Sequence, residues 1–238
     1  MGRGRSGASG GWVAARSVTS TGGDTIDLSG SPLRYGGTID ISAGAKQAAE
    51  DFEAVRWKNK IEYNRAVDAN GNIIEERRGG KGSVKSTVKA MNAADVFTHN
   101  HPRSGGEDGF LGGTFSVQDL NNWSTYGVRV YRATAAEGTY SIAKKPGFDG
   151  RAFRQYYSSE AKNAMAKERA TIRPYEKTYL DTVREYKKGN ADYSEVKRTY
   201  AEYKDAAVKA GNQQLVDLHN ALIDGQKKYG YSYALERR

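Results

Sequence analysis

The chain has 238 residues, a formal charge of +9, three histidines and no cysteine. Without cysteine there is no disulfide framework and no thiolate metal site, so any metal must be held by His, Asp, Glu or main-chain groups. The length allows one domain with an appendage or two small domains. A positive balance permits a polyanionic partner. The lysines and arginines are dispersed, however, and form no compact basic block, so nucleic acid is not the favoured partner.

No apolar run approaches the roughly 20 residues that span a bilayer, so no membrane partner is expected. The opening MGRGRSGASGGW has basic residues but no following apolar segment, and it does not read as a signal peptide. Residues 1–45 are rich in Gly, Ser and Thr and cannot build a core. They read as an arm that orders only against another surface, with GGTIDIS as a short alternating strand.

From Gly44 onward AGAKQAAEDFEAVRWKNK predicts a helix, with Ala45, Ala48, Phe52 and Val55 on its inner face. IEYNRAVD and NIIEERRG then flank ANG, and Asn70-Gly71 is a strong hairpin signal because both residues tolerate positive φ. SVKSTVKAMNAA reads as a helix and DVFTH as a short buried strand. Ser116 to about Tyr126 is a further helix, VRVYRAT a strand, and GTYSIAKK its hairpin partner. The order predicts an α/β domain over residues 46–147.

Pro146-Gly147 marks a boundary, and residues 148–238 read as helical. Tyr175, Tyr179, Val183 and Tyr186 recur at helical spacing. After KKGN, Tyr193, Val196, Tyr200, Tyr203 and Ala207 do the same, which predicts an antiparallel helical hairpin. The tyrosine stripe suits an inter-helix seam better than base stacking against Lys197 and Lys204. A separate last helix, QQLVDLHNALIDGQKKYG, carries His219 as a packing or surface residue. It ends in YGYSY, expected to pack back on the body.

The other two histidines lie in DVFTHNHPRSGGEDGFLGGTFSVQDL. On a strand, residues i and i+2 share a face, so His99 and His101 can aim both imidazoles at one point. Pro102 keeps His101 extended. Asp119 is the candidate third ligand, although Ser116-Val-Gln-Asp119 is equally explained as a capping box. Spacing alone leaves a metal site and an ordinary strand end with a helix cap both open.

THNHP followed by FSVQDL resembles the JAMM/MPN metalloprotease signature, His-x-His-Pro, a loop, then Ser-x-x-Asp. The pattern is similar to RadC-like proteins and to JAMM-like domains of phage and prophage proteins, and DGQKKYGYSY is similar to C-terminal stretches of such proteins. The resemblance covers roughly residues 50–145. It implies an α/β (α+β) fold with a cytidine-deaminase-like mixed sheet flanked by helices, followed here by the helical hairpin. It also implies zinc on His99, His101 and Asp119, with Ser116 stabilising an oxyanion and a glutamate accepting the proton of the attacking water.

Glu62, opening the first hairpin strand, matches the family's placement of that glutamate. Glu75 and Glu76 read as solvated partners of Arg77 and Arg78. The implied activity is zinc-dependent peptide or isopeptide hydrolysis. The implied partners are a protein or peptide substrate and other phage or virion proteins, and the implied location is a bacterial cytoplasm or a virion. A structural virion component with a vestigial metal site is the alternative, and a basic nucleic-acid-binding protein the second. The loop PRSGGEDGFLGGTF is longer than the family's. It reads as an outward bulge or as a flap carrying Glu107, Asp108, Gly112 and Gly113.

Overall fold

Three consecutive strands are buried along almost their whole length: Val96–Asn100, Val130–Ala135 and Gly138–Lys144. Such strands must be covered on both faces, and the rest of the fold supplies that cover. The computed structural model describes residues 18–19, 25–26, 33–34, 37–102 and 111–237. In chain order its elements are β1 (Val18–Thr19), β2 (Thr25–Ile26), α1 (Ala43–Arg56), β3 (Tyr63–Val67), β4 (Ile73–Arg78), α2 (Val88–Ala93) and β5 (Val96–Asn100). There follow α3 (Val117–Thr125), β6 (Val130–Ala135), β7 (Gly138–Lys144), α4 (Gly150–Lys187), α5 (Tyr193–Tyr229) and β8 (Tyr231–Arg237).

The main sheet has the order β4-β3-β5-β6-β7-β8. Every neighbouring pair is antiparallel except β5 and β6, which are parallel and joined through α3. The architecture is therefore a mixed α/β fold, a six-stranded sheet flanked by helices with a C-terminal helical region. β1 and β2 pair with each other outside this sheet.

Strand alternation sorts the core into two layers. Val96, Val130 and Ala143 meet Ala45 and Ala49 of α1, with Ile39 and Ile41 against them. Phe97, Tyr131, Ala133, Tyr140 and Ile142 face the opposite way, toward Leu120 and Trp123 of α3 and the inner ends of α4 and α5. The inner stripe of α1 is Ala45, Ala49, Phe52 and Glu53, whereas Val55 is 65% exposed. The predicted Ala48–Val55 stripe is thus rotated by about one residue.

Other expectations shift for local reasons. Residues 37–42 of GGTIDIS form no strand; Ile39 and Ile41 pad the α1 layer, and the Asp40 carbonyl accepts from Arg129. Leu33 enters the main core. The helix expected from SVKSTVKAMNAA begins only at Val88, because Thr87 caps it and accepts from the Ala90 amide. Upstream, Ser83 and Ser86 bond to Gly80 and Asn64.

The hairpin at ANG forms as read. Asp68 accepts from the Asn70 and Asn72 amides, and Gly71 adopts φ +92°.

The C-terminal region contains two long helices where three were expected: α5 runs unbroken through Gly211 to Tyr229. Asp149 and Asp192 cap the two helices at their starts. Tyr179 stacks on Tyr203 across the seam at 6.0 Å, whereas Tyr175, Tyr186, Tyr193 and Tyr200 of the expected stripe stay exposed. Gly230 ends α5 in the left-handed conformation, a common helix stop, and turns the chain into β8. YGYSY thus becomes the edge strand of the sheet, with Tyr231, Tyr233 and Leu235 in the core.

Candidate metal centre

His99 lies near the end of β5, on the face away from α1. His101 follows the strand's last residue, and its amide still donates to the Thr134 carbonyl at 3.0 Å, which prolongs the ladder toward β6. The two imidazoles therefore share one face, and their Nε2 atoms lie 3.0 Å apart. Phe97, Phe115 and Tyr131 surround the His99 ring.

Asp119 arrives from α3. Ser116 is the N-cap, its Oγ accepting from the Asp119 amide at 3.1 Å. Asp119 Oδ2 accepts in return from the Ser116 amide at 2.8 Å and from its hydroxyl at 2.7 Å. The capping box is complete, and it holds the same Oδ2 3.6 Å from His99 Nε2 and 3.9 Å from His101 Nε2. The cap and the cluster are one structure.

One ligand atom from each of His99, His101 and Asp119 can be chosen so that all lie within 4.8 Å of one another. Zinc–nitrogen bonds of about 2.0–2.1 Å at tetrahedral angles place two ligand nitrogens about 3.3 Å apart, close to the observed separation. The donor set, two imidazoles and a carboxylate, leaves the fourth position of a tetrahedral site open. His101 Nδ1 faces the Gly113 and Gly112 carbonyls at 2.9 and 3.2 Å. A carbonyl only accepts, so Nδ1 carries the proton and Nε2 keeps its lone pair. These residues fit a divalent metal.

The electrostatics of the cluster follow from burial and from its one carboxylate. Burial disfavours a charged His99, but the Asp119 carboxylate outweighs burial and raises its pKa. His101, also buried and repelled by His99, is pushed down to about 4. Burial would raise Asp119, yet the charge and hydrogen bond of His99 hold it well below the usual carboxylate range. The Asp119 carboxylate thus favours positive charge at the point where the three side chains meet.

Glu62 sits one residue before β3, its main chain paired with Gly79 and Gly80. Burial raises its pKa, His99 opposes the rise and Asp119 adds to it, so its carboxylate lies within electrostatic reach of the cluster. The Val84 amide donates to it. The other two glutamates are engaged elsewhere. Glu75 accepts from Thr87 and pairs with Arg77, while the partners of Glu76 are Arg65 and Arg56 rather than Arg78.

The long loop divides in two. Glu107 and Asp108 lie outside the described residues. Gly112 and Gly113 are held on both sides, their carbonyls facing His101 and their amides donating to Glu137 at 3.2 and 3.0 Å. The Leu111 amide donates to Asn212 of α5. Tyr157 of α4 donates to the Phe115 carbonyl.

Thr114 Oγ1 meets Tyr233 Oη at 3.0 Å, and Tyr233 Oη meets His219 Nδ1 at 2.9 Å. His219 Nε2 donates to the Arg34 carbonyl at 2.8 Å. His219 is therefore a buried packing residue, and its burial pushes its pKa down to about 4.

Sequence reasoning missed Glu137 and Asn212. An acid in the tight turn AAEG reads as solvated, and nothing local points it at residues 112 and 113. Comparison with protein-family models, with curated proteins and with solved structures finds no match to this chain.

Proposed function

We propose that the protein is a zinc-dependent peptidase or isopeptidase of the JAMM type. The observation that supports this reading most is the convergence of His99 Nε2, His101 Nε2 and an Asp119 oxygen, with the His101 lone pair directed inward. Zinc held there would supply a Lewis acid that polarises a carbonyl and makes water acidic near neutral pH.

The remaining steps belong to side chains. Glu62, half-buried and with a raised pKa, accepts a proton from the attacking water and returns it to the leaving amine. Ser116 Oγ–H now donates to Asp119 Oδ2. Turned instead toward a bound substrate, the same hydroxyl would donate to the developing oxyanion. The phage or virion setting extends the proposal on the resemblance alone.

The test is metal analysis joined to an assay against a quenched fluorescent peptide library. Purified wild type should hold about one zinc per chain, and His99→Ala or Asp119→Asn should hold none. Glu62→Gln should keep zinc and lose about 100-fold or more in hydrolysis. A wild-type protein that stays metal-free in excess zinc removes the reading.

A further inference from the structure

Glu137 is buried at the turn between β6 and β7. Its two carboxylate oxygens accept separate amides, Oε2 from Gly112 at 3.2 Å and Oε1 from Gly113 at 3.0 Å. Oε1 also accepts the Tyr140 hydroxyl at 2.8 Å. The same two glycines present their carbonyls to His101 Nδ1. Gly113 has φ +97°, a conformation that side chains rarely adopt, and a Cβ placed there would lie 3.4 Å from Leu215 Cδ1 and 3.9 Å from His101 Nδ1.

We infer that Glu137 is a positioning residue for the metal centre: through the Gly112-Gly113 main chain it fixes which nitrogen of His101 carries the proton. A carboxylate only accepts, so it can be met only by the amide side of the two peptides. With the Gly113 amide held there, the opposite edge of the same peptide turns the Gly112 carbonyl to His101; the Gly113 carbonyl of the next peptide joins it, and the two demand a proton on Nδ1. Nε2 is thereby kept as the lone-pair atom beside His99 and Asp119. The usual second partner of a ligating histidine is a carboxylate, a carbonyl or a water. Here the carbonyl is the partner, and a buried carboxylate aims it.

The reach of this inference toward a metal rests on the proposed zinc reading; the tautomer of His101 does not. The closing experiment keeps the two apart. Nitrogen NMR of the histidines in metal-free protein at neutral pH reads the His101 tautomer, and zinc titration against a competing chelator reads affinity.

In Glu137→Gln the amide nitrogen would face a glycine N–H, leaving a buried donor unmet. That variant should show a mixture of His101 tautomers and bind zinc about 10- to 100-fold more weakly, while Tyr140→Phe, which removes the third bond to Glu137 and leaves the glycines held, should stay within about twofold of wild type. Tyr140→Phe also reports whether general loosening of the turn is enough. The inference is overturned if Glu137→Gln retains the Nδ1–H tautomer, or if Tyr140→Phe disturbs His101 as much. A wild type with the Nδ1–H tautomer but no zinc affinity sinks the peptidase reading and leaves the role of Glu137 on the tautomer intact.

Discussion

Two polar clusters lie back to back on β5 and β6, one on each face of the sheet. On the α1 face, Arg132 is 1% exposed and meets Glu53 through bonds of 2.7 and 2.9 Å. Thr98 and Thr139 add hydroxyl donors to the same carboxylate. On the other face, His99, His101 and Asp119 converge. In the first cluster opposite charges answer one another. In the second, one carboxylate meets two imidazoles, and its charge raises the pKa of His99. The first is an ion pair supported by hydroxyl donors; the second is a donor set that could hold a metal ion.

The largest expected effect comes from breaking the buried ion pair. Glu53→Ala leaves Arg132 buried without its main partner and should cost about 3–5 kcal/mol in urea unfolding, whereas Glu53→Leu with Arg132→Met should recover most of that loss. Zinc affinity of the folded protein should hold in both. If Glu53→Ala abolishes zinc binding while the protein remains folded, the two faces are not independent.

The third histidine sharpens the contrast, since His219 is buried but fully partnered. Its folded pKa, about 4, lies below the unfolded value of about 6.5. A depressed folded pKa means that the unfolded chain binds the extra proton first. The stability it contributes is therefore present above pH 6.5 and is lost as pH falls toward 4. Wild type should lose up to about 3 kcal/mol more than His219→Gln across that window. Equal pH slopes in the two proteins would show that His219 is not held neutral.

The smallest effect separates cap from chemistry. Ser116→Ala removes the N-cap of α3 and should cost about 1 kcal/mol of stability. Zinc affinity should change little, because Asp119 keeps the Ser116 amide as a partner. Calorimetry of the metal-free variant beside a chelator titration distinguishes the two. A loss of zinc affinity as deep as that of Asp119→Asn would mean that the serine hydroxyl is part of the metal's coordination.

The site was legible where chemistry is carried by local spacing. The i, i+2 histidines, Pro102 and the Ser116–Asp119 box each set their own geometry within a few residues, and the turn at Asn70-Gly71 set the hairpin that Glu62 opens. What escaped depends on distant pairing. The buried role of Glu53 escaped because its partner Arg132 is remote in sequence. The helix that starts at Tyr193 and the separate last helix expected after it are one, and α5 continues through Gly211. There, packing against α4 overrides a weak local preference. β8 escaped because YSYALER alternates as a strand only if a sheet edge is waiting for it.

The chain of bonds Arg34–His219–Tyr233–Thr114 has a consequence for synthesis. Its four residues come from the arm, α5, β8 and the long loop, and contacts of such wide sequence separation must overcome a large closure entropy before they form. A nascent chain that already holds His99, His101 and Asp119 still lacks Tyr233, and with it one anchor of the loop that contacts His101. The centre is thus finished only after β8 has left the ribosome.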